Sequence, residues 1–360
     1  MARDLALGRF PRPSRLPARS RRLMAGAYLL LLAAVVADVS TGPGSTFSPI
    51  LAAVPVLAGA GTRSALVPLL AGVVAAAGVG LLSLANPGVS FSVHIAALIA
   101  VLAVTMASVA NVVLVNARER ELHQVRTVAE AAQQALLRPV PARLGALRFA
   151  VRYVAAAAEA RIGGDLYEVL DTPYGVRILL GDVQGKGLAA VEAAADVLGV
   201  FREAARTESD LARVAQRLDA VLAHRLVDER FVTAVLVNLG PTAEIVNCGH
   251  PPPLLRRAGE VREVTPARYA PPLALCGLTG EHYRSGPLEL RPGDLLLLYT
   301  DGVSEARDTG GRFYPLAARL TGLAEYDPGA VLDGLLADVE AYVAGGLTDD
   351  AALLAIRRDA

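Results

Sequence analysis

Four apolar stretches, about Leu23–Val39, Phe47–Gly61, Leu66–Ala85 and Val93–Asn116, fill most of the first third of the chain and narrow what it can fold into. In lipid every backbone polar group must be paired within the protein, so such runs have to be helices. Leu66–Ala85 and Val93–Asn116 reach the ~20 residues that a membrane crossing needs; the first two are short and interrupted. The loops Ser40–Thr46 and Asn86–Ser92 carry no Lys or Arg. By contrast, Arg3, Arg9, Arg12, Arg15, Arg19, Arg21 and Arg22 precede the first stretch, Arg63 follows the second, and Arg118 and Arg120 follow the fourth. This alternation predicts four spans with both ends in the cytoplasm. A buried helical domain of a soluble protein is disfavoured by the scarcity of polar groups, and a secretory signal by the lack of a small-residue cleavage pattern. Asp38 and His94 are expected to be interfacial residues, since neither has an evident intramembrane partner. The outer loops are too short for a sizeable extracellular sensor.

The expected organisation is a cytoplasmic Arg-rich tail (1–22), a transmembrane region of four helices (23–116), a connector helix (117–138) and a soluble domain (139–360). The connector, Ala117 to Leu137, lacks Gly and Pro and places Leu122, Val125, Val128 and Ala132 on one stripe. Arg138-Pro139-Val140-Pro141 stops it. It is suited to a homodimer contact or to a solvated spacer, and it is too short to establish a coiled coil.

In the soluble part, Leu166–Leu170 and Val176–Leu180 flank the turn Asp171–Gly175 and predict an antiparallel hairpin. Pairing brings Asp165 and Asp182 to the same sheet end, where two carboxylates repel unless a cation lies between them. Further strands are expected at Leu147–Val154, Phe231–Leu239, Ala243–Cys248, Pro253–Arg257, Val261–Thr265, Leu288–Leu290, Leu295–Thr300 and Ala351–Arg357. Helices are expected at Leu188–Arg206, Ser209–Leu226 (capped by Ser209), Tyr314–Leu323 and Pro328–Val343. The order argues an α+β fold with helices covering sheet faces. Asp301 ends one strand, and Asp349-Asp350 precedes the last. No Cys-x-x-Cys or His-x-x-x-His spacing offers a zinc site, so these carboxylates suit hard ions, Mg2+ or Mn2+. The formal net charge of zero gives no reason to expect nucleic acid. Cys248 and Cys276 read as isolated reduced thiols.

Six segments occur in order: Ile162-Gly163-Gly164-Asp165-Leu166-Tyr167, Gly181-Asp182-Val183-Gln184-Gly185-Lys186-Gly187, Phe231-Val232-Thr233, Asn247-Cys248-Gly249-His250-Pro251-Pro252, Tyr299-Thr300-Asp301-Gly302-Val303-Ser304-Glu305 and Asp349-Asp350-Ala351. On these the soluble half resembles the metal-dependent protein phosphatases, the PPM or protein phosphatase 2C-like superfamily, in its bacterial SpoIIE/RsbU-type branch. The resemblance implies an α-β-β-α sandwich, here preceded by an all-α transmembrane region. It also implies a two-metal site holding two Mn2+ or Mg2+ ions at one end of the sheets. It assigns Asp182 as the bridging carboxylate, the Val183 carbonyl as a ligand, Asp301 and Asp349 as ligands of the second ion, and Asp165 as the nearby acid. Asp165 and Asp182 are thus the catalytic candidates, and Asp350 is the neighbour of Asp349.

The implied reaction is hydrolysis of phosphoserine or phosphothreonine on a protein, by in-line attack of metal-activated water without a phosphoenzyme. The implied substrate is a small STAS-domain phosphoprotein in sigma-factor control; the predicted spans, not the resemblance, place the protein as multi-pass in the plasma membrane with this domain cytoplasmic. The alternative is a catalytically silent phosphatase fold tethered to the bilayer as a binding module. Gln184 stands where eukaryotic relatives have a histidine, and Arg161 is one residue off the spacing of their phosphate-binding arginine. His250 reads as a turn-stabilising residue, and Lys186 as either a phosphate contact or a solvated loop lysine.

Overall fold

The computed structural model describes residues 18–154, 164–225, 230–266, 268–343 and 346–359. Arg3, Arg9, Arg12 and Arg15 of the N-terminal tail lie outside the described residues, as do Arg161, Ile162 and Gly163. The chain divides into two units, Met1–His123 and Gln124–Ala360.

The first unit is helical: Ala18–Thr41, a 3-10 turn Ser48–Ala52 running into Ala53–Gly59, Leu66–Ala85, and the start of Phe91–Leu136. Leu66–Ala85 and the segment Phe91–Leu122 are long and apolar enough to cross a membrane; the apolar segments Ala25–Thr41 and Ser48–Gly59 are shorter. The expectation of four full spans is therefore met in length by two. Small side chains fill much of the interior of this unit, with Ala27, Ala34, Ala58, Ala71, Ala75 and Ala97 buried, while Leu29, Leu32, Leu70, Leu84, Ile99 and Leu102 face outward. Water would favour the reverse distribution; close helix contact through small residues with large apolar residues outside suits lipid. Gly72 shows how close the contact is, since a Cβ there would lie 2.2 Å from Thr105 Oγ1. Asn116 Nδ2 donates to the Arg63 carbonyl at 2.7 Å, bringing together the second–third loop and the end of the fourth apolar stretch.

Asp38 and His94 are both buried within the unit, and Asp38 has a partner that the sequence did not show. The Asp38 carboxylate accepts from the Phe47 backbone N–H and from Asn86 Nδ2. Its partner was hidden because Asn86 is 48 residues away in sequence.

The second unit contains strands β1 (Arg143–Leu144), β2 (Leu147–Val154), β3 (Leu166–Thr172), β4 (Gly175–Val183), β5 (Val232–Leu239), β6 (Ala243–Cys248), β7 (Leu254–Arg257), β8 (Glu260–Glu263), β9 (Gly286–Pro287), β10 (Leu295–Tyr299) and β11 (Ala351–Arg358). They form two antiparallel sheets, ordered β1-β2-β11-β10-β7-β8 and β3-β4-β5-β6-β9. Period-2 alternation explains how the sheets stack. On β4, Ile178 and Leu180 enter the core between the sheets while Leu179 enters the core under helices Leu188–Thr207 and Leu211–Arg225. On β10, Leu296 and Leu298 face the other sheet, whereas Leu295 and Leu297 pack with residues of helices Leu316–Gly322 and Pro328–Tyr342. Both sheets are thus covered on both faces, giving the α-β-β-α sandwich.

Two local expectations are corrected. Leu288–Leu290 is not a strand: Leu288 and Leu290 are buried alternately as a strand would bury them, but the Glu289 and Leu290 carbonyls accept from the Arg257 and Arg358 side chains. The helix Leu211–Arg225 is capped by Asp210, whose carboxylate accepts from the Ala212 N–H at 2.8 Å. The Ser209 carbonyl is instead taken by the buried Arg177, whose guanidinium also binds the Ala205 and Glu208 carbonyls at the end of the preceding helix.

Candidate metal centre

Strand register brings the acids together. In the β3–β4 hairpin Leu166 pairs with Gly181, so Asp165 and Asp182 follow on adjacent strands at one end. In the other sheet Tyr299 pairs with Leu353, which sets Thr300 and Asp301 beside the chain entering β11, where Asp349 and Asp350 lie. Asp165, Asp182, Asp301, Asp349 and Asp350 all line one cavity of about 260 Å³, together with Val183, Gln184, Lys186, Phe231 and Thr233.

Two glycines permit the approach. A Cβ on Gly164 would lie 2.2 Å from the Val183 carbonyl oxygen and 2.8 Å from Asp182 Oδ1, and one on Gly302 would lie 1.8 Å from the Asp350 carbonyl oxygen. Any side chain at either position would displace the backbone that carries an acid.

The carboxylates are poorly solvated and repel one another. Burial pushes Asp165 well above the usual carboxylate range, the charge of Asp182 adds to this, and a hydrogen bond from Thr300 opposes it. Asp182 is pushed up to about 7, mainly by burial and then by Asp301 and Asp349. Asp301 is raised by burial and by Glu305. An acidic cluster held in this way favours whatever positive charge can enter it.

Sequence reasoning missed the side chains that hold these acids. The fully buried Thr300 donates its hydroxyl to Asp165 Oδ2 at 2.8 Å and accepts the Ala352 N–H at 2.9 Å. One threonine therefore ties an acid of the first sheet end to the last strand of the other sheet. Tyr153 donates to Asp350 Oδ2 at 2.7 Å and accepts from Gln133 Nε2 at 3.0 Å. Gln133 lies one turn from the end of helix Phe91–Leu136, so the connector reaches the acids through one tyrosine. Register against Asp350 could not be read from the sequence, where Tyr153 is 197 residues away.

His250 has a clearer role than turn stabilisation. Asn247 does hold its backbone, but the ring is buried, with Nε2 3.1 Å from the Tyr299 carbonyl and Nδ1 3.0 Å from Thr233 Oγ1. A carbonyl only accepts, so Nε2 carries the proton and Nδ1 accepts from the threonine. Burial holds this imidazole neutral, down at about 4. Gln184 is exposed, with its backbone N–H donating to the Phe231 carbonyl. Lys186 Nζ lies 2.6 Å from Asp349 Oδ1.

The donor set fits hard divalent ions: it is all oxygen, strongly acidic and gathered at one cavity. Among the described residues, however, no group of three acids closes around a single point, and Asp349 is engaged by Lys186.

The two stacked sheets with this acid-lined end define a PP2C-type phosphatase fold. The family model for stage II sporulation protein E (SpoIIE) matches residues 172–359, more than half of the chain, and the chain belongs to this family. The matched range contains Asp182, Val183, Asp301, Asp349 and Asp350 and begins just after Asp165. The SiaA-PP2C domain of Pseudomonas aeruginosa is 20% identical with a TM-score of 0.57, covering 68% of this chain and 98% of that one. The PP2C phosphatase domain with a regulatory fragment of SpoIIE from Bacillus subtilis is 19% identical with a TM-score of 0.50, covering 59% and 64%. The RsbU and RsbW domains of a Mycobacterium tuberculosis protein are 27% identical with a TM-score of 0.49, covering 59% and 60%. The chain thus spans less than two thirds of the last two structures.

Proposed function

We propose that this chain is a membrane-anchored, Mn2+- or Mg2+-dependent protein phosphatase that hydrolyses phosphoserine or phosphothreonine. One observation carries the reading: five aspartates from four strand ends of two sheets line one cavity. Asp182, the Val183 carbonyl, Asp301 and Asp349 would hold two ions, with Asp165 beside them and Asp350 next to Asp349. Bound there, the ions would lower the pKa of water and neutralise phosphoryl charge. The protein's own part is positional. Thr300 fixes Asp165, Tyr153 fixes Asp350, and His250 links Thr233 to the strand end that presents Asp301.

The anchor is the first unit, with its small-residue interior and large apolar exterior, and the plasma membrane is its location, with the phosphatase domain cytoplasmic. The contact from Gln133 to Tyr153 supports a connector whose position affects the acids, and a homodimer through that helix would exploit it. The STAS-domain substrate follows from the family resemblance. Phosphate release from a phosphoserine peptide by the full-length protein, with and without Mn2+, tests the reading. Metal-dependent release in the wild type, abolished in Asp301→Asn, is expected. A folded wild type that binds Mn2+ without turnover would favour the silent binding module.

A further inference from the structure

Lys186 is the only lysine in the chain, against 34 arginines among the 35 basic residues. It is also the only cation among the described residues lining the acidic cavity, where it faces five carboxylates. It does not reach the buried acids; it pairs with Asp349, whose side chain is half exposed. Its loop is open to solvent around the lysine. Gly185 and Gly187 on either side have positive φ (109° and 85°), and a Cβ built on either would meet nothing within 4 Å. Lysine differs from arginine in ways that matter here. It is a compact point charge on a flexible stem, whereas a guanidinium would clamp the carboxylate through two hydrogen bonds.

Asp349 cannot serve both Lys186 and a divalent ion fully, because the ion neutralises the carboxylate and repels the ammonium. The displaced ammonium would remain at the cavity mouth, where a phosphoryl dianion must enter. We propose that Lys186 is a metal-released phosphoryl-positioning residue. It holds Asp349 while the site is metal-free, and it turns to the substrate's phosphoryl oxygens once Asp349 is engaged by a divalent ion. This rests on the phosphatase reading above and assigns the phosphate contact that the sequence left open.

The single lysine makes the test site-specific. Reductive 13C-methylation of the full-length protein labels Lys186 and the chain N-terminus, and Lys186→Gln identifies the lysine resonance. Mg2+ should shift that resonance. Inorganic phosphate should shift it again only when Mg2+ is present. In Lys186→Gln, Mg2+ affinity by calorimetry should tighten about two- to fivefold, the modest size expected of a half-exposed ion pair. KM for a phosphoserine peptide should rise roughly 10- to 100-fold, the scale of a lost charge-assisted hydrogen bond, with kcat much less affected. Lys186→Arg, whose guanidinium would clamp Asp349, should restore little of the KM. A resonance unmoved by Mg2+ that calorimetry shows to be bound would overturn the proposal and spare the phosphatase reading. So would a Lys186→Gln KM within twofold of wild type. Failure of the wild type to bind Mg2+ at all would overturn both.

Discussion

Thr300 offers a sharp perturbation of the site, because Thr300→Val changes almost nothing in shape and removes one hydroxyl. That hydroxyl donates to the 97%-buried Asp165 and accepts from the backbone N–H of Ala352. Valine leaves a buried carboxyl without its donor and a buried N–H without its acceptor. Each unsatisfied group costs about 1–3 kcal/mol, so the metal-free protein should lose roughly 2–6 kcal/mol. For a unit of this size that is a fall of about 4–24 °C in the melting midpoint. Thr300→Ser keeps the hydroxyl and should lose only about 1 kcal/mol for the missing methyl. The assay is thermal and urea unfolding of both variants beside wild type, without divalent ions. Thr300→Val within about 0.5 kcal/mol of wild type would show that Thr300 does not hold Asp165, and the account of how the two sheets share the site would fail.

Other consequences follow from the same geometry. Asp165 and Asp182 titrate higher in the folded state than in the unfolded chain, so folding takes up protons above about pH 4, for Asp182 up to about pH 7. Their contribution is therefore full below pH 4 and lost as pH rises. Metal-free protein should melt lower at pH 7.5 than at pH 5, and Mg2+ should reverse this; a higher metal-free midpoint at pH 7.5 would contradict it. The depressed carboxylates Asp294, Asp308 and Asp333 are ionised at both pH values; His250, held down at about 4, opposes the trend below about pH 6.5, but the three raised acids Asp165, Asp182 and Asp301 outweigh one imidazole. Gly302→Ala drives a Cβ into the Asp350 carbonyl and should cost roughly 1–3 kcal/mol or more while weakening Mn2+ binding; unchanged unfolding and calorimetry would refute the tight approach. Reporter fusions at Gly42 and Gly88 should report the outside and one at Thr62 the inside; the reversed pattern would overturn the membrane topology.

Much of the site was legible because its acids sit at strand ends that local patterns announce. The β3–β4 hairpin could be read from Leu166–Leu170 and Val176–Leu180 around a turn, and it fixed Asp165 beside Asp182 before any long-range contact was known. The continuous apolar runs Val176–Leu180 and Leu295–Tyr299 likewise read as buried strands, and the interleaved helices as cover for the sheet faces. What escaped was set by distant pairing. Thr300 and Tyr153 look like ordinary strand residues until β11 is placed between β2 and β10. Asp38 looked partnerless because Asn86, just past the end of Leu66–Ala85, is 48 residues away. Leu288–Leu290 had the right alternation, but arginine side chains took the carbonyls that a neighbouring strand would have used. The first two apolar stretches, short and interrupted in sequence, form shorter apolar helices than the third and fourth.

The central claim is that the acid-lined cavity is a divalent-metal centre organised by Asp182. Parallel calorimetric titrations of wild type and Asp182→Asn with Mn2+ test it most directly, with unfolding curves confirming that both are folded. Two bound equivalents in the wild type, with at least one lost in Asp182→Asn, is the predicted result. Equal stoichiometry and affinity in the two proteins would contradict it.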